Sequence, residues 1–356
     1  RLYSTDRAGN TSSESIDNII KNTQETPVNV AINTAHFSPN GDGVKDEVVF
    51  TLNIPVEQGI VSWNVDLKDE GGNVVGSYSG RGNMPTRYSF DGKDGTGDIL
   101  PEGTYYATIS IVYQNGNNPV SDSPPFTLDI TDPYARIIAE DTILSPNGDG
   151  NKEEIVFGID TSREELWTGA LVREDGTVVK SYRWTDTPDR SIRWGGKSEE
   201  GRRMPDGTYS FAIESTDKAG NRGSSNRAVF ELDTTETPVS LAAEYDAFSP
   251  DRDNIKDSVD LILQPTVTEG IESWNVTVYS ESGRNVRRFD GRKNIPGLVR
   301  WDGKTDEGTL AAEGGYTASL TVRYRHGNVS TASSGSFILD VTDPDASISA
   351  DYEIFS

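Results

Sequence analysis

Phe37-Ser-Pro-Asn-Gly-Asp-Gly-Val-Lys-Asp46 returns as Leu144-Ser-Pro-Asn-Gly-Asp-Gly-Asn-Lys-Glu153, and again as Phe248-Ser-Pro-Asp-Arg-Asp-Asn-Ile-Lys-Asp257. Phe355-Ser356 opens a fourth copy. The spacings Phe37 to Leu144, Leu144 to Phe248 and Phe248 to Phe355 are 107, 104 and 107 residues. A fixed period of this size marks a tandem array of whole domains, not one large core.

Other landmarks keep the same beat. Trp63, Trp167 and Trp274 correspond, as do Phe90, Trp194 and Trp301, then Tyr105, Tyr209 and Tyr316, then Leu128, Leu232 and Leu339. Three complete domains are expected at 27–132, 133–237 and 238–343. Residues 1–26 then carry the last strands of a preceding domain, and 344–356 the first strand of a following one. A longer cycle is also visible: Ser4-Thr-Asp-Arg-Ala-Gly-Asn10 matches Ser215-Thr-Asp-Lys-Ala-Gly-Asn221, which suggests two alternating domain types.

Within each repeat the hydrophobic period is two. Val48, Phe50, Leu52 and Ile54 alternate with Val49, Thr51 and Asn53, the mark of strands with one buried and one wet face. In the first repeat this predicts strands A near 28–36, B 47–54, C 61–69, D 73–79, E 85–90, F 104–113 and G 118–130. The fold class is all-β: tandem seven-stranded immunoglobulin- or fibronectin-III-like β-sandwiches in an extended array. The Trp at 63, 167 and 274 falls on strand C, and the Tyr at 105, 209 and 316 opens strand F after a Gly-containing turn. The first is a core position of such sandwiches; the second resembles a tyrosine corner, whose hydroxyl ties the E–F loop down.

The Phe-Ser-Pro-Asn-Gly-Asp-Gly start, Trp301-Asp-Gly-Lys-Thr-Asp-Glu-Gly308 and Gly314-Gly-Tyr316 together resemble the Ig-like domain of bacterial flagellar hook-capping proteins. They also resemble repeats of large bacterial surface proteins and of gliding-motility-associated domains. Two departures stand out: Asp251-Arg252-Asp253-Asn254 replaces Asn-Gly-Asp-Gly, and Gly195 stands where Asp302 does. The resemblance implies a bacterial envelope or extracellular setting and does not imply hook capping.

Composition narrows the function. A net charge of −24 repels nucleic-acid phosphates and anionic lipid. With no cysteine there are no disulfides, thiolate metal sites or thiol nucleophiles. No apolar run reaches the length of a membrane helix. The two histidines, His36 and His326, occupy unrelated places in the repeat. The many carboxylate pairs recur in every domain, so no single tuned acid–base pair appears. The expectation is a protein without catalysis.

The acidic A–B motif admits two compatible readings. Asn40, Asp42 and Asp46 place oxygens close together, as do Asn147, Asp149 and Glu153, and Asp251, Asp253 and Asp257. Calcium takes such hard oxygen sets, yet a Lys stands among the ligands at 45, 152 and 256. A rigid turn explains the same residues, since Pro fixes φ, Asn and Asp make Asx-turns, and Gly43, Gly150 and Asn254 tolerate positive φ. If strands alternate, the A–B loop, the E–F loop with Asp91, Asp94 and Asp98, and the exit Asp129-Ile-Thr-Asp132-Pro133 share one pole. Arg190 of the next domain, or Arg292 and Lys293 of the third, are then expected to face it across a charged, calcium-bridged junction.

Trp184 stands where Gly80 and Gly291 stand; a domain–domain contact, a strand-edge residue and a ligand platform are all open to it. For the chain as a whole, a spacer or scaffold segment held by neighbouring Ig-like domains is expected. The competing reading is an adhesin or assembly module that binds an envelope protein or a glycan through loops or edge strands.

Overall fold

The computed structural model describes residues 1–17, 23 and 25–349. The start of the fourth copy at Phe355-Ser356 lies outside the described residues. At the N-terminus, β1 (Leu2–Thr5) and β2 (Thr11–Glu14) form an antiparallel hairpin. The first repeat then supplies β3 (Asn29–Ile32), β4 (His36–Phe37), β5 (Val48–Asn53), β6 (Ile60–Asp69), β7 (Val74–Arg81), β8 (Arg87–Phe90), β9 (Gly103–Tyr113), β10 (Val120–Asp122) and β11 (Phe126–Leu128). One sheet runs β3-β5-β8; the other runs β4-β11-β9-β6-β7, with β10 also on β9.

The second and third repeats copy this layout strand for strand. The second has β12 (Ala135–Ala139), β14 (Ile155–Thr161) and β17 (Ser191–Trp194) in its small sheet. Its large sheet holds β13 (Ile143–Leu144), β15 (Glu164–Arg173), β16 (Val178–Asp186), β18 (Gly207–Thr216), β19 (Arg222–Ser224) and β20 (Ala228–Leu232). In the third, β21 (Val239–Ala243), β23 (Val259–Pro265) and β26 (Leu298–Trp301) face β22 (Ala247–Phe248), β24 (Ile271–Ser280), β25 (Asn285–Arg292), β27 (Gly314–Tyr324), β28 (Val329–Ser333) and β29 (Phe337–Leu339).

The predicted strand A is therefore two strands in two sheets. Its first half pairs antiparallel with strand B, and at its end His36–Phe37 cross over to pair parallel with strand G. Strand G is likewise broken, at Pro124-Pro125, because proline has no N–H to give a ladder. The predicted strand D pairs with strand C and widens the larger sheet.

Packing divides the chain into two compact units. One comprises 1–133 with 163–166 and 215–223; the other comprises 134–162, 167–214 and 224–356. The first holds one hydrophobic core and the second holds two. Each core is built on the residue that closes strand E. Phe90 packs on Phe37 and Phe126, Trp194 on Tyr209 and Phe230, and Trp301 on Phe248, Tyr316 and Phe337. Trp301 is fully buried, and each such ring contributes several kcal/mol of burial, about 3–5 on truncation to Ala. The indole N–H of Trp194 and of Trp301 donates to Lys197 O and Lys304 O, which pins the E–F loop to the core.

The tyrosine corners form as expected. Tyr105 Oη donates to Pro101 O at 2.6 Å and Tyr209 Oη to Pro205 O at 2.5 Å; Tyr316 Oη donates to Ala312 O. The E–F loop, the A–B loop and the end of strand G do share a pole. A Cβ at Gly92 would lie 2.7 Å from Pro39 Cγ and 3.2 Å from Leu128 Cδ1, and Gly196 and Gly303 meet Pro146 and Pro250 in the same way. The proline of the Ser-Pro motif thus seats itself on an E–F glycine that has no side chain to obstruct it.

Trp184 is a packing exchange within the second sandwich. In the first and third sandwiches the indole of Trp63 or Trp274 lies over Gly80 or Gly291, where a Cβ would come within 2.3 or 2.7 Å of it. In the second, Trp167 turns wholly into the core and Trp184 occupies the glycine's place. Room for it comes from Gly169, which replaces Val65 and Val276: a Cβ there would meet the Trp184 ring at 3.0 Å. Trp184 also stacks on Tyr182, with centroids 5.4 Å apart and planes 5° from parallel. Gly169→Val should destabilise the second unit by about 1–3 kcal/mol through overpacking, and adding Trp184→Gly should recover most of that loss. Denaturant melts of the four proteins of this cycle measure it; additive effects would refute the exchange.

Candidate functional site

The A–B loop is a closed hydrogen-bond circuit. In the first copy, Asp46 accepts the N–H of Gly41 at 2.8 Å and of Gly43 at 2.9 Å. Asn40 Oδ1 accepts from Asp42 N, and Asp42 Oδ1 from Val44 N, at 3.0 and 2.7 Å. Glu153 and Asp257 do for their loops what Asp46 does, and Asn147, Asp149, Asp251 and Asp253 make the same Asx-turns. Lys45, Lys152 and Lys256 close the circuit at φ of 53°, 53° and 50°. In the third copy Arg252 and Asn254 hold φ of 76° and 71°, where the other copies have glycine.

That frozen loop receives the F–G turn of the following sandwich. In the first unit the receiver is the 40–45 loop and the incoming turn is Asp217–Asn221. Asn221 is fully buried. Its amide donates to Asp129 O at 2.9 Å and to Asp217 Oδ2 at 2.8 Å, while its oxygen accepts from Asn40 Nδ2 at 3.2 Å. Lys45 Nζ reaches Lys218 O at 2.6 Å. In the second unit, Asn328 repeats the insertion. Its oxygen accepts from Asn147 Nδ2 at 2.6 Å and Ser145 Oγ at 2.9 Å, and its amide donates to Thr235 O. Asn151 Nδ2 donates to Gly327 O and Val329 N donates to Asp149 Oδ2, at 2.5 and 2.6 Å. Each inserted Asn follows a glycine that must approach closely: a Cβ on Gly220 would lie 2.8 Å from Val44 Cγ1, and one on Gly327 2.8 Å from Ser145 Cβ.

These contacts correct the expected junction chemistry. The partner of the acidic pole is the F–G turn, and in the second unit amides with backbone groups make the contacts in place of the expected Arg292 and Lys293. Arg190 lines a groove with Arg136 and Asp160 of its own sandwich. Arg292 sits opposite Ser273 in the strand ladder, and Lys293 N–H donates to Glu272 O. Asp132 is exposed, and Asp94 is spent on its own turn, accepting from Thr96 and Asp98. Trp184 belongs to its sandwich's packing.

Asp129 does reach the joint. Burial, with the nearby charges of Asp217 and Glu102, holds its carboxyl above the usual range despite the Thr131 N–H it accepts. Glu102 is held low by the Thr131 hydroxyl and the Ile130 N–H, which tie the chain leaving strand G to the E–F corner. Asp206 and Glu313 make the equivalent ties to Thr234 and Thr342.

The A–B residues form the expected rigid turn. Asp251, Asp253 and Asp257 bring carboxylate oxygens within 4.8 Å of one another. Backbone N–H groups also donate to oxygens of all three loops, and each carboxylate keeps further lone pairs beside those bonds.

The inserted asparagine was readable as a signal. Asn117, Asn221 and Asn328 each stand 12 residues after the corner tyrosine, each preceded by glycine. The match of 4–10 to 215–221 shows the same turn: Asp6 accepts from Ala8 N, Asn10 N and the Asn10 amide, much as Asp217 holds Gly220 and Asn221. The alternate copies carry tyrosine there, with Tyr113 and Tyr324 donating to Val56 O and Val267 O.

Residues 252–325 match the FlgD Ig-like domain family. No curated protein matches the chain. Among solved structures, a tetra-tandem repeat from the extending region of a large adhesion protein is 20% identical, with 96% of this chain and 80% of that one covered and a TM-score of 0.30. A 1.5-MDa bacterial ice-binding adhesin concerned with host cell surface retention is 15% identical over 90% of this chain and 100% of that one, at TM-score 0.39. A Ca²⁺-stabilised adhesin with which an Antarctic bacterium binds ice is 16% identical over 95% and 80%, at 0.36.

Asn328→Ala leaves Ser145 Oγ, Asn147 Nδ2 and Thr235 O without this partner, and should cost the second unit about 2–3 kcal/mol. Calorimetry should show its transition lowered; an unchanged thermogram would refute the insertion. Asp129→Asn keeps the acceptor for Thr131 N–H and removes the buried charge. Because the folded pKa is raised, Asp129 contributes fully below its unfolded pKa, and that contribution is lost as pH rises through the folded value. The variant should therefore melt higher than wild type at pH 7, and the gap should close near pH 3.5.

Proposed function

We propose that this chain is a non-catalytic spacer segment of a large bacterial surface protein. In this reading its task is to hold successive sandwiches in fixed order and orientation. The observation that carries it is the buried asparagine insertion, made in each of the two units with the first asparagine of the A–B loop as the shared partner. A flexible tether needs neither a buried amide nor a glycine shaped for close approach, and each such joint costs ordering entropy that only a fixed geometry makes worthwhile. The acidic surface suits an exposed, self-repelling segment of this kind. Calcium belongs to this proposal as a counter-ion for that surface and as a cation to which Asp251, Asp253 and Asp257 offer clustered oxygens.

The absence of cysteine makes a direct test simple. Spin labels at Val178→Cys and Leu298→Cys, both exposed sites of the second unit, report one distance by pulsed electron resonance. A narrow distribution that Asn328→Ala broadens is expected. A wild-type distribution as broad as the variant's would end the spacer reading.

A further inference from the structure

We propose that Glu231, Asp233 and His326 form a binding site for a divalent transition-metal ion of the zinc class at the second joint. The three offer ligand atoms within 4.8 Å of one another, and His326 Nδ1 lies 3.3 Å from Asp233 Oδ2. Glu231 and Asp233 flank the buried Leu232, so strand alternation puts both carboxylates on the outer face. The histidine comes from the inserted F–G turn of the third sandwich.

The surroundings hold two of these ligands in place. Asp233 Oδ1 accepts the Thr235 N–H at 2.9 Å, which leaves Oδ2 for the imidazole side. Thr235 O takes the Asn328 amide, so one residue orients both the carboxylate and the turn that bears the histidine. Supporting bonds of this type fix ligand direction in metal sites. Nδ1 is the ring nitrogen that faces Asp233, while the Cδ2–Nε2 edge lies toward Gly270, so Nδ1 is the nitrogen offered to an ion. Glu231 is exposed, and its carboxylate already lies within reach as third ligand. Water completes a four-coordinate ion.

Comparison with the other repeats sharpens the assignment. Asp129 and Asp340 share the place of Asp233, but Thr127 and Ile338 stand where Glu231 stands. Asn115 and Ala219 stand where His326 stands. Two of the three ligands are thus departures from the repeat, and they meet at the same joint. An imidazole nitrogen with two carboxylates selects zinc, cobalt or nickel over the hard cations calcium and magnesium. Bound there, the ion links strand G of one sandwich to the F–G turn of the next. The inference uses this joint but not its spacing role, since binding is read without any measure of geometry.

The test titrates the whole chain with Co²⁺, followed by its visible ligand-field absorption, and with Zn²⁺ by calorimetry. One equivalent should bind, with a rise in melting temperature under excess Zn²⁺. His326→Ala and Glu231→Thr copy residues that the other repeats carry at these places, so folding should persist, checked by the metal-free melt. Each should weaken binding at least tenfold, whereas His36→Ala should not. A tenfold excess of Ca²⁺ should leave the Co²⁺ spectrum unchanged. Undiminished binding by His326→Ala, displacement by calcium, or no Co²⁺ absorption would overturn the proposal.

Discussion

Everything distinctive in this structure depends on a carboxylate that its own loop captures. Asp46, Glu153 and Asp257 each accept two backbone N–H groups from the turn before them. The capture fixes a segment that would otherwise sample many conformations, at the entropic cost usual for loops. Once fixed, the loop offers the first Asn side chain sideways and, through its proline, rests on the E–F glycine. The joint then adds few ordered groups of its own. The third loop reaches the same shape with Arg252 and Asn254 at positive φ, a conformation that costs an L-residue about 1–2 kcal/mol, so the circuit is strong enough to enforce it.

The division between electrostatics and packing is instructive. The chain is strongly acidic, yet its joints are made mostly by neutral amides and backbone groups, with Lys45, Asp149 and Asp233 as the charged members. Neutral donors and acceptors satisfy one another at close range without the desolvation penalty of buried ions. At Asp129, burial raises the pKa of the carboxyl. Long-range repulsion thus acts between surfaces, while short-range hydrogen bonds decide how sandwiches meet.

Most of the fold was legible from period and alternation. The three Trp and Tyr landmarks, the tyrosine corner and the shared pole of the A–B and E–F loops follow from spacing alone, because strands in a sandwich must alternate. The joint was less legible. Charge drew attention to Arg190, Arg292 and Lys293, whereas the working residues are the Gly-Asn pairs at 220–221 and 327–328, which resemble any turn. Only their fixed distance from the corner tyrosine singles them out. Trp184 misled for a similar reason: its compensating partner, Gly169, is a missing side chain and shows no hydrophobic signal.

The third loop holds one further implication. At the place from which Asn40 and Asn147 donate to an incoming asparagine oxygen, it carries Asp251, which has no hydrogen to give. An F–G turn like that of Asn221 or Asn328, set on this loop in the same pose, would bring two acceptors face to face. Such a turn would have to present a donor in place of the asparagine oxygen. The side chain at this one position of each loop thus sets whether it gives or takes a hydrogen bond there.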